Sequence, residues 1–456
     1  MNKFEKVVRY IISLIKEEKL KPSDKLPSIR AMAEEFSCNK STIIRAYQEL
    51  EGKHYIYSVS KSGYYVIESM EREEDNLEVF DFLSASPDLN VMPYKDFQHC
   101  INQAIDIYKN EIFSYSPFEG IYSLRCEIQK YLQDFQVFAD VNNLFITTGA
   151  QQAINLAVNM PLPNKRTNIL VEQPTYYGAL ESIKNTDCNI YGLDVSKNGI
   201  DLESLEHILK NHDIKLFYVI TRFQNPSGFS YSNEDKKRIL ALIQKYDVYL
   251  VEDDYLSELD LDTKADPFYS FDDTNRVIYI KSFSKVFLPG MRIASIIVPD
   301  RMKNEFIKYK FTSDFNSPAI SQGAFEIYLK SGMFHTHIDK IKKVYKNKLD
   351  ILLEACKTYF DDSIKYSKPN NGFFICIYLP DNIKAAYITN ILKEQSVYVK
   401  DCSDMYLDDF NKENAIRICI SKIEENKIDK GIEIISKVIK QNRKRLNYIA
   451  DNIMIP

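Results

Sequence analysis

Short apolar runs alternate with helical stretches through the middle of this chain, and that alternation limits its possible folds more than any other feature. The runs predict six buried strands, at Leu144–Thr147, Asn168–Val171, Leu216–Ile220, Val248–Val251, Val277–Ile280 and Ile293–Val298. Helical stretches lie between several of them, at 150–158, 176–184, 202–211, 232–245 and 301–308. This predicts an α/β fold in which helices cover both faces of a mainly parallel sheet. Such sheets bind ligands at the carboxyl ends of their strands.

The last quarter of the chain departs from this pattern. It contains a long polar helix at 335–360, short strands at Phe373–Tyr378 and Ile416–Ile420, and a terminal helix at 423–445. We interpret residues 335–445 as a smaller α+β lobe of a domain that spans 79–445.

The N-terminal region has its own helical pattern. Apolar residues at a period of 3.6 predict a first helix over 3–19, and Ser28 precedes a second, short helix. A third helix is predicted over Thr42–Leu50, and residues 53–67 predict a β-hairpin that turns at Lys61-Ser62-Gly63. Three helices followed by a hairpin are typical of a winged helix-turn-helix.

Residues 1–67 therefore form a predicted winged helix-turn-helix domain, and the acidic stretch 68–78 is a predicted linker. The first 67 residues carry 12 Lys and Arg against 8 Asp and Glu, whereas the rest of the chain carries 47 against 56. A basic module attached to an acidic body favours nucleic acid as a partner of the N-terminal domain.

Composition excludes several classes of protein. With 45% hydrophobic and 27% charged residues among 456, the chain is neither mainly disordered nor fibrous, and its length suits two to four domains. Eight cysteines without a Cys-x-x-Cys pair argue against a zinc ribbon or a disulfide scaffold and fit the reducing cytoplasm. No apolar run approaches the ~20 residues that span a bilayer. His335 and His337 lack further ligands, so no metal site is predicted.

Lys285 is the first candidate for chemistry. It follows a predicted strand and a Ser282-Phe283-Ser284 step, among apolar neighbours. A lysine in apolar surroundings loses part of its proton affinity and becomes a usable amine nucleophile. Arg292, seven residues later, is a cation suited to a phosphate. Alone, a lysine at a strand end is usually a surface charge.

Five further motifs lie at the end of, after or within predicted strands, at Thr147–Gln152, Glu172–Gly178, Asn225–Gly228, Val251–Tyr255 and Ala415–Ile420. The first opens a helix whose backbone N–H groups suit a phosphate. In the fourth, Asp253 and Tyr255 share a face if the strand continues. In the fifth, Arg417 is costly to bury unpaired. Each motif alone has an ordinary explanation: a strand-to-helix turn, a core tyrosine, a common Asn-Pro turn or a structural ion pair.

The segment Tyr279–Arg292 around Lys285 resembles the cofactor-lysine signature of fold type I pyridoxal-phosphate aminotransferases, and the other motifs follow in the order expected for that family. The closest resemblance is to the version fused to GntR domains, the MocR group of regulators, and it covers 1–67 and 79–445. It implies pyridoxal 5'-phosphate as cofactor, held on Lys285 as the catalytic residue.

The resemblance also implies the roles of the other residues. Tyr176 would stack on the pyridine ring, Asp253 would pair with its nitrogen, and Asn225 and Tyr255 would contact its phenolic oxygen. The implied phosphate ligands are Ala150, Gln151, Ser282, Ser284 and Arg292.

Two implied contacts reach beyond the cofactor. Arg417 would grip the carboxylate of a substrate, and Tyr115, in a Tyr-Ser-Pro-Phe-Glu-Gly segment, would reach the phosphate in the other subunit of a head-to-tail homodimer.

The N-terminal domain resembles the GntR-type DNA-binding domain through Leu26-Pro27-Ser28-Ile29-Arg30, the run Asn39–Leu50 and Gly63. Hydroxyls and N–H groups at a helix start suit phosphate oxygens, and Arg or Lys there reaches base edges. The residues that the resemblance assigns to double-stranded DNA are Arg30, Lys40, Ser41, Thr42 and Arg45. Singly, each would pass for a solvated surface residue.

The resemblance implies a cytoplasmic transcriptional regulator that senses an amino acid, an amine or pyridoxal phosphate itself through an aldimine on Lys285. Two alternatives remain open. The chain could be an active aminotransferase with an appended DNA-binding module, or its second domain could serve only as a dimerisation scaffold, against which the intact Lys285, Asp253, Asn225 and Tyr255 argue.

Overall fold

The computed structural model describes residues 3–17, 19–53, 55–59, 62–67, 78–196, 199–262 and 264–453. The chain divides into two compact units, 1–77 and 78–456. Lys61 and, apart from Glu78, the expected linker 68–78 lie outside the described residues.

The first unit is a winged helix-turn-helix, as the sequence predicts. Its elements are α1 (Lys3–Lys16), α2 (Ile29–Glu35), α3 (Lys40–Gly52), β1 (Ile56–Val59) and β2 (Gly63–Val66). The Ser28 side chain accepts a hydrogen bond from the Ala31 N–H and so caps α2. Tyr47 of α3 is buried, and its hydroxyl donates to the Pro27 carbonyl at 2.7 Å. This bond ties α3 to the chain entering α2.

The second unit contains the remaining elements. Its strands are β3 (Phe80–Asp81), β4 (Leu144–Thr148), β5 (Asn168–Gln173), β6 (Ile190–Ser196), β7 (Gly199–Ile200), β8 (Ile214–Ile220), β9 (Tyr249–Asp254), β10 (Val277–Ser282), β11 (Ile293–Ile297), β12 (Lys365–Tyr366), β13 (Phe374–Tyr378), β14 (Val397–Tyr398), β15 (Lys400–Asp401) and β16 (Ala415–Cys419). Its α-helices are α4 (Tyr94–Tyr108), α5 (Tyr122–Gln133), α6 (Ala150–Asn159), α7 (Tyr177–Lys184), α8 (Leu202–Asn211), α9 (Asn233–Lys245), α10 (Phe268–Phe271), α11 (Lys303–Asp314), α12 (Ala319–Lys330), α13 (Met333–Tyr359), α14 (Ala385–Glu394) and α15 (Glu425–Ile453).

The large sheet has eight strands in the order β4-β11-β10-β9-β8-β5-β6-β7. The predicted mainly parallel sheet is confirmed, but β11 runs antiparallel to both of its neighbours, β10 and β4. Antiparallel neighbours need no crossover helix, so the short connection 283–292 joins β10 to β11 directly. Lys285 and Arg292 both lie on this connection, at the carboxyl end of β10.

The smaller lobe is built on a four-stranded sheet in the order β12-β13-β16-β15. Strand β3 pairs with β14, and Phe80 and Phe82 belong to the core of this lobe. The chain thus enters the second unit along the small lobe before it builds the large sheet. No helix within the described ranges is both long and apolar enough to cross a membrane.

Candidate functional site

One cavity of about 330 Å³ collects most of the predicted residues. It opens at the carboxyl ends of β4, β8, β9 and β10 and is bounded by β13 and β16 of the small lobe. Its lining is Ala85, Ala150, Gln151, Tyr176, Ile220, Asn225, Asp253, Tyr255, Ser282, Ser284, Lys285, Arg292, Phe374 and Arg417. Every predicted cofactor or substrate residue except Tyr115 is in this lining, and Ala85, Ile220 and Phe374 join it.

Lys285 is partly buried in this cavity. Its Nζ donates a hydrogen bond to the backbone carbonyl oxygen of Ala85 at 3.0 Å. Burial lowers the pKa of Lys285, and the charges of Arg417 and Arg292 act in the same direction, whereas Cys419 and Asp253 oppose them. A lysine with a lowered pKa holds more of the neutral amine, which is the nucleophilic form.

Asp253 lies on β9 with its carboxylate buried. Oδ2 accepts a hydrogen bond from the Tyr218 hydroxyl at 2.8 Å, and Oδ1 has no hydrogen-bond partner among the described residues. Burial raises the pKa of Asp253 to about 6, although the Tyr218 hydrogen bond acts in the opposite direction. A buried oxygen without a partner is costly, so Oδ1 is an acceptor for a donor brought by a ligand.

The opposite end of the cavity is suited to an anion. Gly149 precedes α6 with a φ of +83°, and a Cβ built there would lie 2.2 Å from Nη2 of Arg292. Nη2 of Arg292 also donates to the Thr148 carbonyl at 3.1 Å. Glycine at 149 therefore allows the guanidinium to lie against the backbone where α6 begins.

The first turn of α6 completes this end. The Gln151 side chain donates to the Gly178 carbonyl at 2.6 Å and to the Ser182 hydroxyl at 2.8 Å, so its backbone N–H, like that of Ala150, is the group left for a ligand. Free N–H groups in a first helical turn, with the helix dipole, favour phosphate. The hydroxyl groups of Ser282 and Ser284 belong to the same lining.

Arg417 on β16 is buried, with 6% of its surface exposed. Nη1 donates to Oδ1 of Asn225 at 3.1 Å, Nη2 donates to the Leu83 carbonyl at 2.5 Å, and the guanidinium lies 4.8 Å from the ring centre of Phe374. No carboxylate of the described residues forms an ion pair with it. A buried guanidinium whose partners are neutral is suited to an anionic ligand.

Two tyrosines lie on other walls of the cavity. Tyr176 follows β5 and is the N-cap residue of α7. Gly178 gives this ring room, because a Cβ at 178 would lie 2.6 Å from its hydroxyl. The Tyr255 hydroxyl donates its proton to the carbonyl of Phe223. Its oxygen can still accept a hydrogen bond.

A short segment near the start of the second unit, residues 80–85, contacts Arg417 and Lys285, and we call it the strap. The Phe82 carbonyl accepts from the Cys419 N–H at 2.9 Å, and the Ser84 carbonyl accepts from the Ser421 hydroxyl at 3.1 Å. The Leu83 and Ala85 carbonyls accept from Arg417 and Lys285. The strap thus contacts both cations with backbone oxygens, which the sequence did not indicate because any residue type supplies a carbonyl.

Tyr115 is not brought to this cavity. It is 85% exposed, and its ring packs edge-on against Phe315 at 5.3 Å. Phe315 in turn contacts Phe311 at 5.0 Å. Large aromatic residues rarely cluster in solvent on a monomer. This exposed aromatic patch is therefore suited to contact with the surface of another protein chain.

The residues assigned to DNA lie at the start of α3 and on α2. Lys40, Ser41 and Thr42 form the first turn of α3, and Arg30, Lys40 and Ser41 are exposed while Thr42 is half-buried. Arg45 is exposed too, but its guanidinium lies 5.0 Å from the ring centre of Phe4. Arg45 therefore also has a packing role within the first unit.

Comparison with known proteins decides the family. The model for aminotransferase class I and II matches residues 88–435. The chain belongs to this family. Residues 3–66 match the gntR family of bacterial regulatory proteins, which gives the MocR-type arrangement.

Relatives of this aminotransferase-family chain match nearly all of it or about four fifths of it. The HTH-type transcriptional regulator YcxD of Bacillus subtilis, itself described as uncharacterized, is 39% identical over 95% of this chain and 99% of that protein. The kynurenine aminotransferase of Pyrococcus horikoshii, solved with PMP, is 26% identical with a TM-score of 0.75, covering 80% of this chain and 92% of that one. LysN of Thermus thermophilus, complexed with a phosphopyridoxyl-leucine, is 24% identical with a TM-score of 0.73, covering 80% and 92%.

The fold implies pyridoxal 5'-phosphate as the cofactor, and the cavity of this family member fits it. The cavity presents an amine, an unpartnered carboxylate oxygen, an anion cradle at Gly149 and an aromatic wall, which match an aldehyde, a ring nitrogen, a phosphate and a ring face. Among the described residues no group of three or more His, Cys, Asp or Glu is arranged to hold a metal. His337 is buried and pairs with the Val286 carbonyl at 2.9 Å.

Proposed function

We propose that this protein is a DNA-binding transcriptional regulator whose second unit binds pyridoxal phosphate on Lys285 and responds to a small molecule that carries an amino group and a carboxylate. The observation that carries the ligand class is the buried Arg417, which has neutral partners and lies in the same cavity as Lys285. The name of the Bacillus subtilis relative, an HTH-type transcriptional regulator, supports the regulatory part.

The contacts of these residues support the roles that we propose for them. Pyridoxal phosphate supplies an aldehyde that condenses with amines and a ring that withdraws electrons. Lys285 would be the amine that attaches to it, and Oδ1 of Asp253 would accept a hydrogen bond from the protonated ring nitrogen. Arg292 and the N–H groups that begin α6 would bind the phosphate, and Tyr176 would stack on a face of the ring.

Asn225 and Arg417 orient the ligand. Oδ1 of Asn225 accepts from Arg417, which leaves the Asn225 amide group as the end that donates to the phenolic oxygen. Arg417 then pairs with the carboxylate of the effector through its remaining N–H groups. Its Nε is buried and has no partner among the described residues.

The strap gives ligand binding a route to the rest of the chain. Arg417 and Lys285 each donate a hydrogen bond to a carbonyl of the strap, and each is also proposed to bind a ligand. Binding therefore changes the free energy of the docked strap, and a ligand shifts an equilibrium by its difference in affinity for the two states. The strap begins two residues after the predicted linker 68–78, so a shift in the strap would be passed to the chain segment that leads to the first unit.

The test combines spectroscopy with DNA binding. The purified full-length protein is titrated with pyridoxal phosphate and then with a panel of amino acids and amines, while operator affinity is followed by gel shift. We expect visible absorbance that disappears in Lys285→Ala, and an operator affinity that responds to one class in the panel. An unchanged spectrum in Lys285→Ala would contradict the cofactor assignment.

An active aminotransferase is a second candidate, because every residue that was predicted to contact the cofactor, except Tyr115, lines the cavity. The name of the Pyrococcus horikoshii relative, a kynurenine aminotransferase, agrees with this. Turnover of an amino donor with a keto acid at about 1 s⁻¹ or faster would favour the enzyme. Binding without release of product would favour the sensor.

We also propose a head-to-tail homodimer in the cytoplasm. The exposed aromatic patch around Tyr115, Phe311 and Phe315 is suited to a second copy of the chain, and Tyr115 would reach the partner's phosphate site. All eight cysteines are free, as in a reducing compartment. Analytical ultracentrifugation at decreasing concentration tests the dimer, and a Tyr115→Ala variant that stays dimeric with unchanged cofactor affinity would contradict the role of Tyr115.

A further inference from the structure

Tyr218 lies directly beneath the cofactor cavity and has no place in the roles given above. It is on β8, next to β9, and is fully buried. In the register of the two parallel strands Tyr218 is opposite Val251, two residues before Asp253. The ring therefore extends along the sheet toward the cavity, and its hydroxyl donates to Oδ2 of Asp253 at 2.8 Å. Tyr218 itself is not part of the cavity lining.

This hydrogen bond leaves Asp253 with two different oxygens. Oδ2 is held by the buried phenol, and Oδ1 has no partner among the described residues. A carboxylate held at one oxygen cannot rotate freely, so Oδ1 is fixed as the acceptor for the cavity. A hydrogen bond to the ionised form also favours that form, which a carboxylate needs if it is to hold a protonated ring nitrogen.

We propose that Tyr218 is a positioning residue for pyridoxal phosphate, which fixes Asp253 so that Oδ1 meets the ring nitrogen. This rests on the proposed role of Asp253. The other groups that act on Asp253 differ in sign: Asp254 on the same strand opposes its ionisation, and Lys281 and Lys285 favour it. Tyr176, Tyr255 and Glu172 feel its charge from the neighbouring elements. Of the side chains that the structure describes, Tyr218 is the one that forms a hydrogen bond with the Asp253 carboxylate.

The chain provides a matched control in Tyr231 and Glu172. The Tyr231 hydroxyl donates to the Glu172 carboxylate, and both residues are buried like Tyr218 and Asp253. Glu172 also accepts from Gln224 and from the Ile220 N–H, each at 3.1 Å, so it has no oxygen left for the cavity. Each substitution removes one buried phenol hydroxyl from a buried carboxylate, but of the two carboxylates only Asp253 lines the cavity.

The experiment compares Tyr218→Phe with Tyr231→Phe in the full-length protein. The dissociation constant of pyridoxal phosphate is measured by absorbance titration from about pH 5 to 9. This interval covers the pKa values of carboxyl groups that burial has raised. We expect Tyr218→Phe to weaken binding roughly tenfold at neutral pH, the usual loss for a hydrogen bond to a charged group. Tyr231→Phe should stay near the wild-type value.

The pH dependence separates positioning from loss of stability. Asp253 must be ionised to hold the protonated nitrogen, so binding falls as Asp253 takes up a proton on acidification. Without the Tyr218 hydroxyl the pKa of Asp253 rises further above its ordinary range, and the pH at which binding is lost should move upward. Replacing Tyr218 by 3,5-difluorotyrosine keeps the ring and strengthens the donor, so that pH should move downward.

The outcomes are distinct. The inference is overturned if the pH at which binding is lost is the same in wild type, Tyr218→Phe and the difluorotyrosine variant. It is also overturned if Tyr231→Phe shifts that pH as much as Tyr218→Phe does. If Tyr218→Phe does not fold, the direction of the difluorotyrosine shift decides. If the wild-type protein itself binds no pyridoxal phosphate, the proposed function fails instead, independently of Tyr218.

Discussion

Lys285 and Ala85 are 200 residues apart in sequence, and the Lys285 ammonium donates to the Ala85 carbonyl oxygen at 3.0 Å. With the Arg417 contact to Leu83, this bond attaches the strap to the two cations on which the proposed chemistry depends. Cofactor attachment and effector binding therefore compete for groups that also hold the entry of the second unit.

Asp81 offers a way to disturb the strap without touching the cavity. Its Oδ1 accepts the N–H groups of Leu83 at 3.1 Å and Ser84 at 2.9 Å, and its Oδ2 pairs with Lys422 at 3.0 Å. We expect Asp81→Ala to keep effector affinity within about threefold but to lose most of the change in operator affinity that the effector causes. Gel shifts with and without effector measure this.

The control for Asp81 is Glu78→Gln, which removes the same charge from an exposed pair with Lys430 just before the strap. It should keep the full response. Equal responses in both variants would show that the strap does not transmit ligand binding.

Arg417 should distinguish effectors by their carboxylate. In Arg417→Gln the guanidinium is replaced by a shorter neutral amide, so ligands with a carboxylate lose a charge-assisted pair worth roughly 10- to 100-fold in affinity. Amines that lack a carboxylate should bind as before. Titrating both classes by the change in visible absorbance measures the difference, and equal weakening of the two classes would mean that Arg417 stabilises the cavity and does not read the ligand.

Gly149 is expected to tolerate no side chain. In Gly149→Ala the new Cβ would lie 2.2 Å from Nη2 of Arg292, and φ at +83° is strained for any other residue. We expect a loss of about 1–2 kcal/mol of stability and a cofactor affinity at least tenfold weaker, because Arg292 must move. Thermal unfolding and absorbance titration measure the two effects separately.

Gly290 is the matched control for this glycine. It lies on the same connection as Lys285 and Arg292, and a Cβ there would meet nothing within 4 Å. Gly290→Ala should leave cofactor affinity unchanged. If both variants lose the cofactor equally, the connection itself, and not the approach of Arg292 to Gly149, is what the substitutions disturb.

The sequence predicted the parts of this molecule that depend on local pattern. Strands such as β8 and β9 are continuous apolar runs, so their existence and the site at their carboxyl ends could be read from spacing. Strand β6, which lies between β5 and the short edge strand β7, was missed because its residues, Ile-Tyr-Gly-Leu-Asp-Val-Ser, do not form such a run. Helix α12 was missed because small and polar residues such as Ser321, Gln322 and Gly323 are buried in it.

The contacts that tune the site depend on tertiary structure. The strap oxygens are backbone atoms, and Tyr218 reads only as an aromatic residue in a buried strand. The one available signal for Tyr218 was general: a buried tyrosine usually finds a partner for its hydroxyl. Which of the buried carboxylates that partner is follows from strand order, which local pattern does not specify.

The first unit gives the last prediction. Arg30 is an exposed cation in the first turn of α2, and Lys6 is an exposed cation on α1. If Arg30 contacts a DNA phosphate, Arg30→Ala should weaken operator binding. It should also reduce the slope of log affinity against log salt concentration by about one, because binding with one phosphate contact fewer releases fewer counterions. Lys6→Ala is the control, because it changes the net charge by the same amount. It should leave the salt slope unchanged and lower the operator affinity only slightly.

Fluorescence anisotropy at several salt concentrations measures both variants. Equal slopes for Arg30→Ala and Lys6→Ala would place the DNA contact elsewhere on the unit, with Lys40 and Ser41 at the start of α3 as the next positions to substitute.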